Sequence, residues 1–147
     1  MNTASTPSQR FPRNARLLRR TDFQQVYEQG RRHFSDSMTE FYLLRSASFS
    51  GHERDVSSPG PRIGITVGRV VGKAVERVRI KRRIRNGVRL HLASLQAPVD
   101  VVINPKRAVL KVEFTKLTEE IRRTFEVVNQ KAKLPDTARR APPARQE

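Results

Sequence analysis

Between Arg69 and Arg89 the chain reads RVVGKAVERVRIKRRIRNGVR, and nine of these 21 residues are Arg or Lys. They are Arg69, Lys73, Arg77, Arg79, Lys81, Arg82, Arg83, Arg85 and Arg89; the one acid is Glu76. The chemistry open to such residues is the binding of a polyanion. Guanidinium groups fit phosphate oxygens two at a time, and each phosphate contact releases condensed counterions. A run of charge is usually a solvated face. Here like charges one turn apart repel along a helix, with almost no acid to relieve them. A helix that tolerates this repulsion points to phosphates, and apolar residues at regular spacing within the run point to a helix.

Side chains suited to catalysis are sparse. His33, His52 and His91 show no metal-ligand spacing of the HExxH kind, and Asp22, Asp36, Asp55 and Asp100 are scattered. No GxSxG, Walker or GxGxxG pattern occurs, and cysteine is absent, which removes thiol catalysis, disulfides and cysteine-ligated zinc. No catalytic constellation belongs to this chain alone. Phe23, Tyr27, Phe41 and Tyr42 offer a second kind of binding chemistry. For any one of them core packing is the commoner role. Aromatic rings on an open sheet face nevertheless stack unpaired bases, at about 1–3 kcal/mol per base.

The elements that must position these groups fit one domain. The 147 residues carry a formal charge of +16 and a pI of about 11.6, a balance that favours nucleic acid or an anionic membrane surface. No run of 18 apolar residues is present, so no membrane span is expected. The N-terminal residues lack an apolar signal core, and the cytoplasm is the expected compartment. Residues 1–14 are expected to be a disordered basic tail, 15–134 the folded domain and 135–147 a second disordered tail, with a long loop at 46–62.

A first helix is predicted from Leu17 to Gln29, capped by Thr21 or Asp22, striped by Phe23, Val26 and Tyr27, and stopped at Gly30. Strands are predicted at Met38 to Arg45 and at 62–71. In the latter, Ile63, Ile65 and Val67 alternate with Gly64, Thr66 and Gly68, small residues that leave room for a close neighbour. The basic helix is expected from Val75 or Glu76 to Ser94, with Ile80, Ile84, Val88, His91 and Leu95 on its apolar face and Arg79, Arg82, Arg85, Asn86 and Arg89 opposite. Gly87, on the apolar side, would admit a strand. VDVVIN (99–104) reads as a buried strand, and residues 108–114 as extended chain or turn. Thr115 or Thr118 would open a last helix with Leu117, Ile121, Phe125 and Val128 in its core stripe. The order is helix, two or three strands, helix, strand, helix: an α+β domain on one small sheet.

GKAVERVRIKRRIR (72–85) resembles the KAVxRNRIKRxxR signature of the bacterial ribonuclease P protein subunit. LLRRTDFQQVYEQGRR (17–32) is similar to that family's first helix, RIGITVGRVVGKAV to the strand and loop before the signature, and DVVIN to the strand after it. The resemblance spans about residues 15–130. Two positions depart from it. Val78 stands where the signature has Asn, so an apolar side chain replaces donors and acceptors. Gly68-Arg69-Val70 stands where the family commonly has Ser-Lys-Lys or Ser-Lys-Arg, one cation fewer.

The resemblance implies a single α-β-β-β-α-β-α domain with a central mixed sheet and a left-handed βαβ crossover, similar to the second domain of ribosomal protein S5. It implies a protein component of an endoribonuclease whose catalytic RNA removes the 5′ leader of precursor tRNA, using Mg²⁺ bound mainly by that RNA. The partners implied are the catalytic RNA and precursor tRNA, with no membrane and no obligate protein partner. By position, Arg77, Arg79, Lys81, Arg82, Arg85 and Arg89 would face the RNA. Phe23, Tyr27 and Phe41 would line a leader cleft, with Arg69 and Lys73 at its edge. A ribosomal or other structural RNA-binding protein would share the charge and the small α+β domain. A metal-dependent nuclease acting alone would need clustered acids.

Overall fold

Val99, Val101, Val102 and Ile103 are all buried, as a strand covered on both faces requires. In the computed structural model, which describes residues 15–45 and 60–133, they lie on the inner strand β4 (Val99–Pro105). The elements are α1 (Arg20–Gln29), β1 (Arg31–Phe34), β2 (Met38–Leu44), β3 (Arg62–Ile65), α2 (Ala74–His91), β4 and α3 (Phe114–Ala132). Short 3₁₀ turns occupy Arg69–Val71, Leu92–Ser94 and Arg107–Leu110. The sheet order is β1-β2-β4-β3. β2 is antiparallel to both β1 and β4, while β3 is parallel to β4. A parallel pair needs a crossover, and α2 supplies it. This is the α+β order expected above. Most of the 46–62 loop and both tails lie outside the described residues.

The sheet separates two apolar clusters. On one face Met38, Tyr42, Ile63, Val99, Val101 and Ile103 meet Ile80, Ile84 and Val88 of α2 and Leu117, Ile121, Phe125 and Val128 of α3. On the other, Leu17, Val26 and Val102 are buried together, with Phe23, Phe41 and Leu43 against them. The predicted stripes of α2 and α3 are therefore the core. β1 carries no apolar alternation and was expected only through the family resemblance.

Local expectations fail where tertiary contacts claim the residue. α1 starts at Arg20 with Arg19 as its cap, not at Leu17, and neither Thr21 nor Asp22 caps it. Asp22 is drawn into a buried ion cluster with Arg62, and Leu17 is taken by the sheet, its N–H donating to the Ile63 carbonyl at 2.9 Å. α3 begins after Glu113; Thr118 instead donates its hydroxyl to the Thr115 carbonyl at 2.9 Å, inside the helix. Gly87 admits a helix rather than a strand: a Cβ there would lie 2.6 Å from Cδ1 of Ile121 on α3. β3 stops at Ile65, far short of 71, after one further bond from Thr66 N–H to the Ile103 carbonyl at 3.0 Å. The next ladder partner in register is Pro105, which has no N–H to donate.

One buried acid tunes stability. Glu40 of β2 is fully buried. It accepts hydroxyl bonds from Ser35 at 3.1 and 3.2 Å and from Thr124 of α3 at 2.9 Å. Burial, and to a lesser degree the nearby Glu120, push its pKa up to about 8 against those hydrogen bonds. A carboxyl whose folded pKa is raised holds its proton more tightly folded than unfolded. Its contribution is therefore fully present below the unfolded value near 4.5 and is lost as pH rises through about 8. Glu40→Gln is expected to remove that part of the pH dependence. Urea midpoints at pH 5 and pH 8.5 should fall for the native chain and differ less for the variant; parallel losses would refute this role.

Candidate nucleic-acid interface

The first turn of α2 uses the only acid of the basic run. Oε1 of Glu76 accepts the backbone N–H of Lys73 at 2.9 Å. Its two oxygens also take Nη1 and Nη2 of Arg107 at 2.9 and 2.8 Å. The Arg107 guanidinium first, and the Lys73 N–H second, hold the Glu76 carboxyl down at about 2. Arg107 also donates to the Val71 carbonyl at 3.1 Å. Gly72 lies within this clasp, where a Cβ would sit 2.6 Å from Oε1 of Glu76 and 2.8 Å from Nη1 of Arg107. Glu76 thus fastens the β3–α2 connection to the Arg107–Leu110 turn, and does not neutralise the outward face.

That face carries Val75, Val78, Arg79, Arg82 and Arg85 exposed, with Asn86 and Arg89 half-buried. Among the described residues Arg79, Arg82 and Arg85 make no ion pair or hydrogen bond. Arg89 donates to Oδ1 of Asn86 at 3.2 Å. Two of the expected cations lie elsewhere. Arg77 precedes Ile80 by three residues and so shares the inward side; half-buried, it donates from Nε to the Gly72 carbonyl at 3.1 Å. Lys81, three residues before Ile84, lies half-buried on the flank of the core stripe. Arg83 is held by a bond to the Val112 carbonyl. The structure therefore gathers Arg79, Arg82, Arg85 and Arg89 on one face and separates Arg77 and Lys81 from it.

The aromatic residues assemble beside α1. Phe23 is half-buried, and its ring covers Gly64: a Cβ there would come within 2.6 Å of two ring carbons. The close neighbour that Gly64 admits is thus a side chain of α1, whereas at Gly68 a Cβ would meet nothing within 4 Å. Tyr27 is 39% exposed. It donates its hydroxyl to Oδ1 of Asn104 at 2.9 Å, and its ring meets Phe41 edge-on with centroids 5.0 Å apart. Arg32 of β1 lies over the Phe41 ring at 5.4 Å. Phe34, 53% exposed, falls on the same sheet face by register, since Arg32 pairs with Phe41 and Phe34 with Thr39. Tyr42 points the other way and is core, 3% exposed.

Arg69 and Lys73 are exposed on the connection that leaves β3. Among the described residues no hydrogen bond or ring contact joins them to Phe23, Tyr27 or Phe41. Arg32, Phe34 and Asn104 were missed by the sequence reading; strand register alone brings them to the aromatic group.

A buried ion cluster holds α1 to the sheet. Arg62 grips Asp100 through Nε and Nη2 at 2.9 and 2.8 Å and reaches Oδ2 of Asp22 at 3.4 Å. Arg45 adds a contact to Asp100 at 3.3 Å. The two acids nearest to a nuclease-like pair are thus engaged by arginines. His33 and His91 stand apart on β1 and at the end of α2, and burial pulls His33 below its ordinary pKa. His52 and Asp55 lie outside the described residues. No helix among the described residues is long and apolar enough to cross a membrane.

Known proteins resemble the chain in sequence and in fold. Residues 11–129 match the family model described as Ribonuclease P. The chain is 38% identical over 94 residues to a ribonuclease P protein component of Maridesulfovibrio salexigens, covering 64% of this chain and 68% of that protein. It is 37% identical over 113 residues to that of Acidothermus cellulolyticus, covering 77% and 87%. Among solved structures, the RNase P protein from Thermotoga maritima superposes with a TM-score of 0.62 at 22% identity, over 76% of this chain and 96% of that one. The Staphylococcus aureus RNase P protein gives 0.61 at 19% identity, over 78% and 94%. At these identities the two structures speak for the fold alone.

Proposed function

The chain belongs to the ribonuclease P protein family, and from that premise we propose that the outward face of α2 binds the catalytic RNA while the groove between α1 and the sheet receives the 5′ leader of precursor tRNA. It is the protein component of an endoribonuclease whose catalysis is carried by RNA. The observation that carries the first half is the state of the basic helix. Among the described residues the side chains of Arg79, Arg82 and Arg85 have no partner, and Glu76, the one acid of the 69–89 run, is taken by Arg107. Preformed, unneutralised guanidiniums in fixed geometry suit phosphates of a structured RNA. Arg89 joins this face, and Arg77 and Lys81 would meet RNA from its flanks.

The leader reading rests on Phe23, Tyr27 and Phe41, with Arg32, Phe34 and Asn104 extending the platform towards the edge strand. Partly exposed rings beside α1 favour stacked, unpaired bases. Arg69 and Lys73 would neutralise backbone where the leader leaves the groove. The domain would span 15–134, flanked by the tails, and would act in the cytoplasm. Among the described residues no three His, Asp or Glu side chains are grouped to hold a metal ion. As the family resemblance implies, this reading leaves the Mg²⁺ of the reaction mainly to the RNA, and the chain's own part is electrostatic: it screens RNA–RNA repulsion and raises substrate affinity.

The test is a cleavage assay with the cognate RNA. The protein alone should leave precursor tRNA intact, and its addition should lower the Mg²⁺ that the RNA requires. Phe23→Ala should weaken precursor binding more than mature tRNA binding, since only the precursor has a leader. Cleavage at low Mg²⁺ that is indifferent to the protein would overturn the proposal. Equal losses on both tRNAs would return Phe23 to core packing.

A further inference from the structure

The outward face of α2 is not uniformly basic. Val75 is 71% exposed and Val78 56% exposed, three residues apart on one side of the helix. With Ala74, Arg79 and Arg82 they line a shallow open depression of about 310 Å³. Its lining is mostly apolar, and the two arginines beside it have no side-chain partner among the described residues. A face serving only as a phosphate ladder has no use for exposed valines, which water disfavours.

An apolar floor within reach of two free cations is complementary to a nucleotide: a flat base with two apolar faces, and the backbone phosphates beside it. A protein segment would need acids for the two arginines and would approach a chain of net charge +16. An unpaired base of a large RNA brings its own anions, and looped-out bases are where folded RNA offers such faces.

We propose that the Ala74–Val75–Val78 depression receives an unpaired nucleobase of the catalytic RNA, with Arg79 and Arg82 holding the phosphates next to it. This rests on the assignment of α2 to the catalytic RNA and deepens it. Val78, where the family signature has Asn, then exchanges a polar contact for an apolar one. The consequence is opposite in sign to a simple lost contact: restoring the signature with Val78→Asn weakens binding.

The experiment measures binding of the full chain to the full-length catalytic RNA across a range of salt concentrations. Val78→Asn and Val75→Ser should each lower affinity about three- to tenfold, the worth of part of one valine buried against a base. The slope of log affinity on log salt should not change, because no charge is removed. Val70→Asn, outside the depression, should bind like the native chain. Arg82→Gln should flatten the salt slope by about one. Native or tighter binding by Val78→Asn, with Arg82→Gln still flattening the slope, would overturn the depression and leave the α2 assignment standing. An unchanged slope for Arg82→Gln would overturn both. Melting temperatures of the variants should match the native chain, since both valines are exposed.

Discussion

Replacing Arg79, Arg82 and Arg85 together by glutamine is expected to lower affinity for the catalytic RNA roughly a hundredfold at low salt, and by much less at high salt. The three lie at successive i, i+3 positions on one side of α2 and have no side-chain partner among the described residues, so each is available for a phosphate. Three such contacts steepen the slope of log affinity on log salt by about two to three, and that is the quantity to measure. The variant's stability should be equal or slightly higher, because like-charge repulsion along the helix is relieved. A helix whose arginines served the fold would show the reverse: destabilisation, with an unchanged salt slope. The same substitution at Arg83, which is bonded to the Val112 carbonyl, is expected to act on stability instead.

Glu76 explains why the face stays charged. An acid in a helix's first turn favours the N-terminus, and by charge alone Glu76 would also pair with the arginines that follow. The Arg107 fork and the Lys73 N–H hold it at the helix start instead. One ion pair orients the helix and shields its outward cations from internal neutralisation.

Apolar periodicity made the core legible. Ile80, Ile84 and Val88, and Leu117, Ile121, Phe125 and Val128, follow the 3.6-residue repeat and are buried together. The same wheel identified Arg79, Arg82, Arg85 and Arg89 as one face. Arg77 and Lys81 come with them only through the family signature, which treats all its cations alike, whereas the structure turns Arg77 towards the Gly72 carbonyl. The boundaries at Thr21 and Thr115 were illegible for a different reason. Capping is a local preference of about 1 kcal/mol, and tertiary ion pairing of Asp22 or the seating of Leu17 against β3 outweighs it. The aromatic platform needed strand register: nothing in RRHF (31–34) announces that Arg32 will sit over Phe41 or Phe34 beside Thr39. Gly87 showed that something approaches closely, while only the packing of α2 on α3 shows what.

The largest effect on stability is expected at Arg62. Its guanidinium is buried, 8% exposed, between Asp22 of α1 and Asp100 of β4, which are each 4% exposed. Arg62→Met keeps much of the side chain's length and removes its charge, leaving two acids deprived of it in a dry site. Breaking a buried pair from one side costs about 3–5 kcal/mol. Arg45, still 3.3 Å from Asp100, should keep the loss towards the lower part of that range, with a melting temperature lower by several degrees for each kcal/mol. If buried charge is the cause, adding Asp22→Asn and Asp100→Asn to Arg62→Met should recover stability, whereas a loss due to packing would deepen. The cluster also decides how α1 is seated. Phe23 follows Asp22 directly, and its ring lies against Gly64, two residues from Arg62 on β3. Arg62→Met assayed well below its melting temperature should therefore lose preference for precursor over mature tRNA and retain the salt slope set by α2. Loss of both together would mean that the ion cluster holds the whole domain and not the α1 groove in particular.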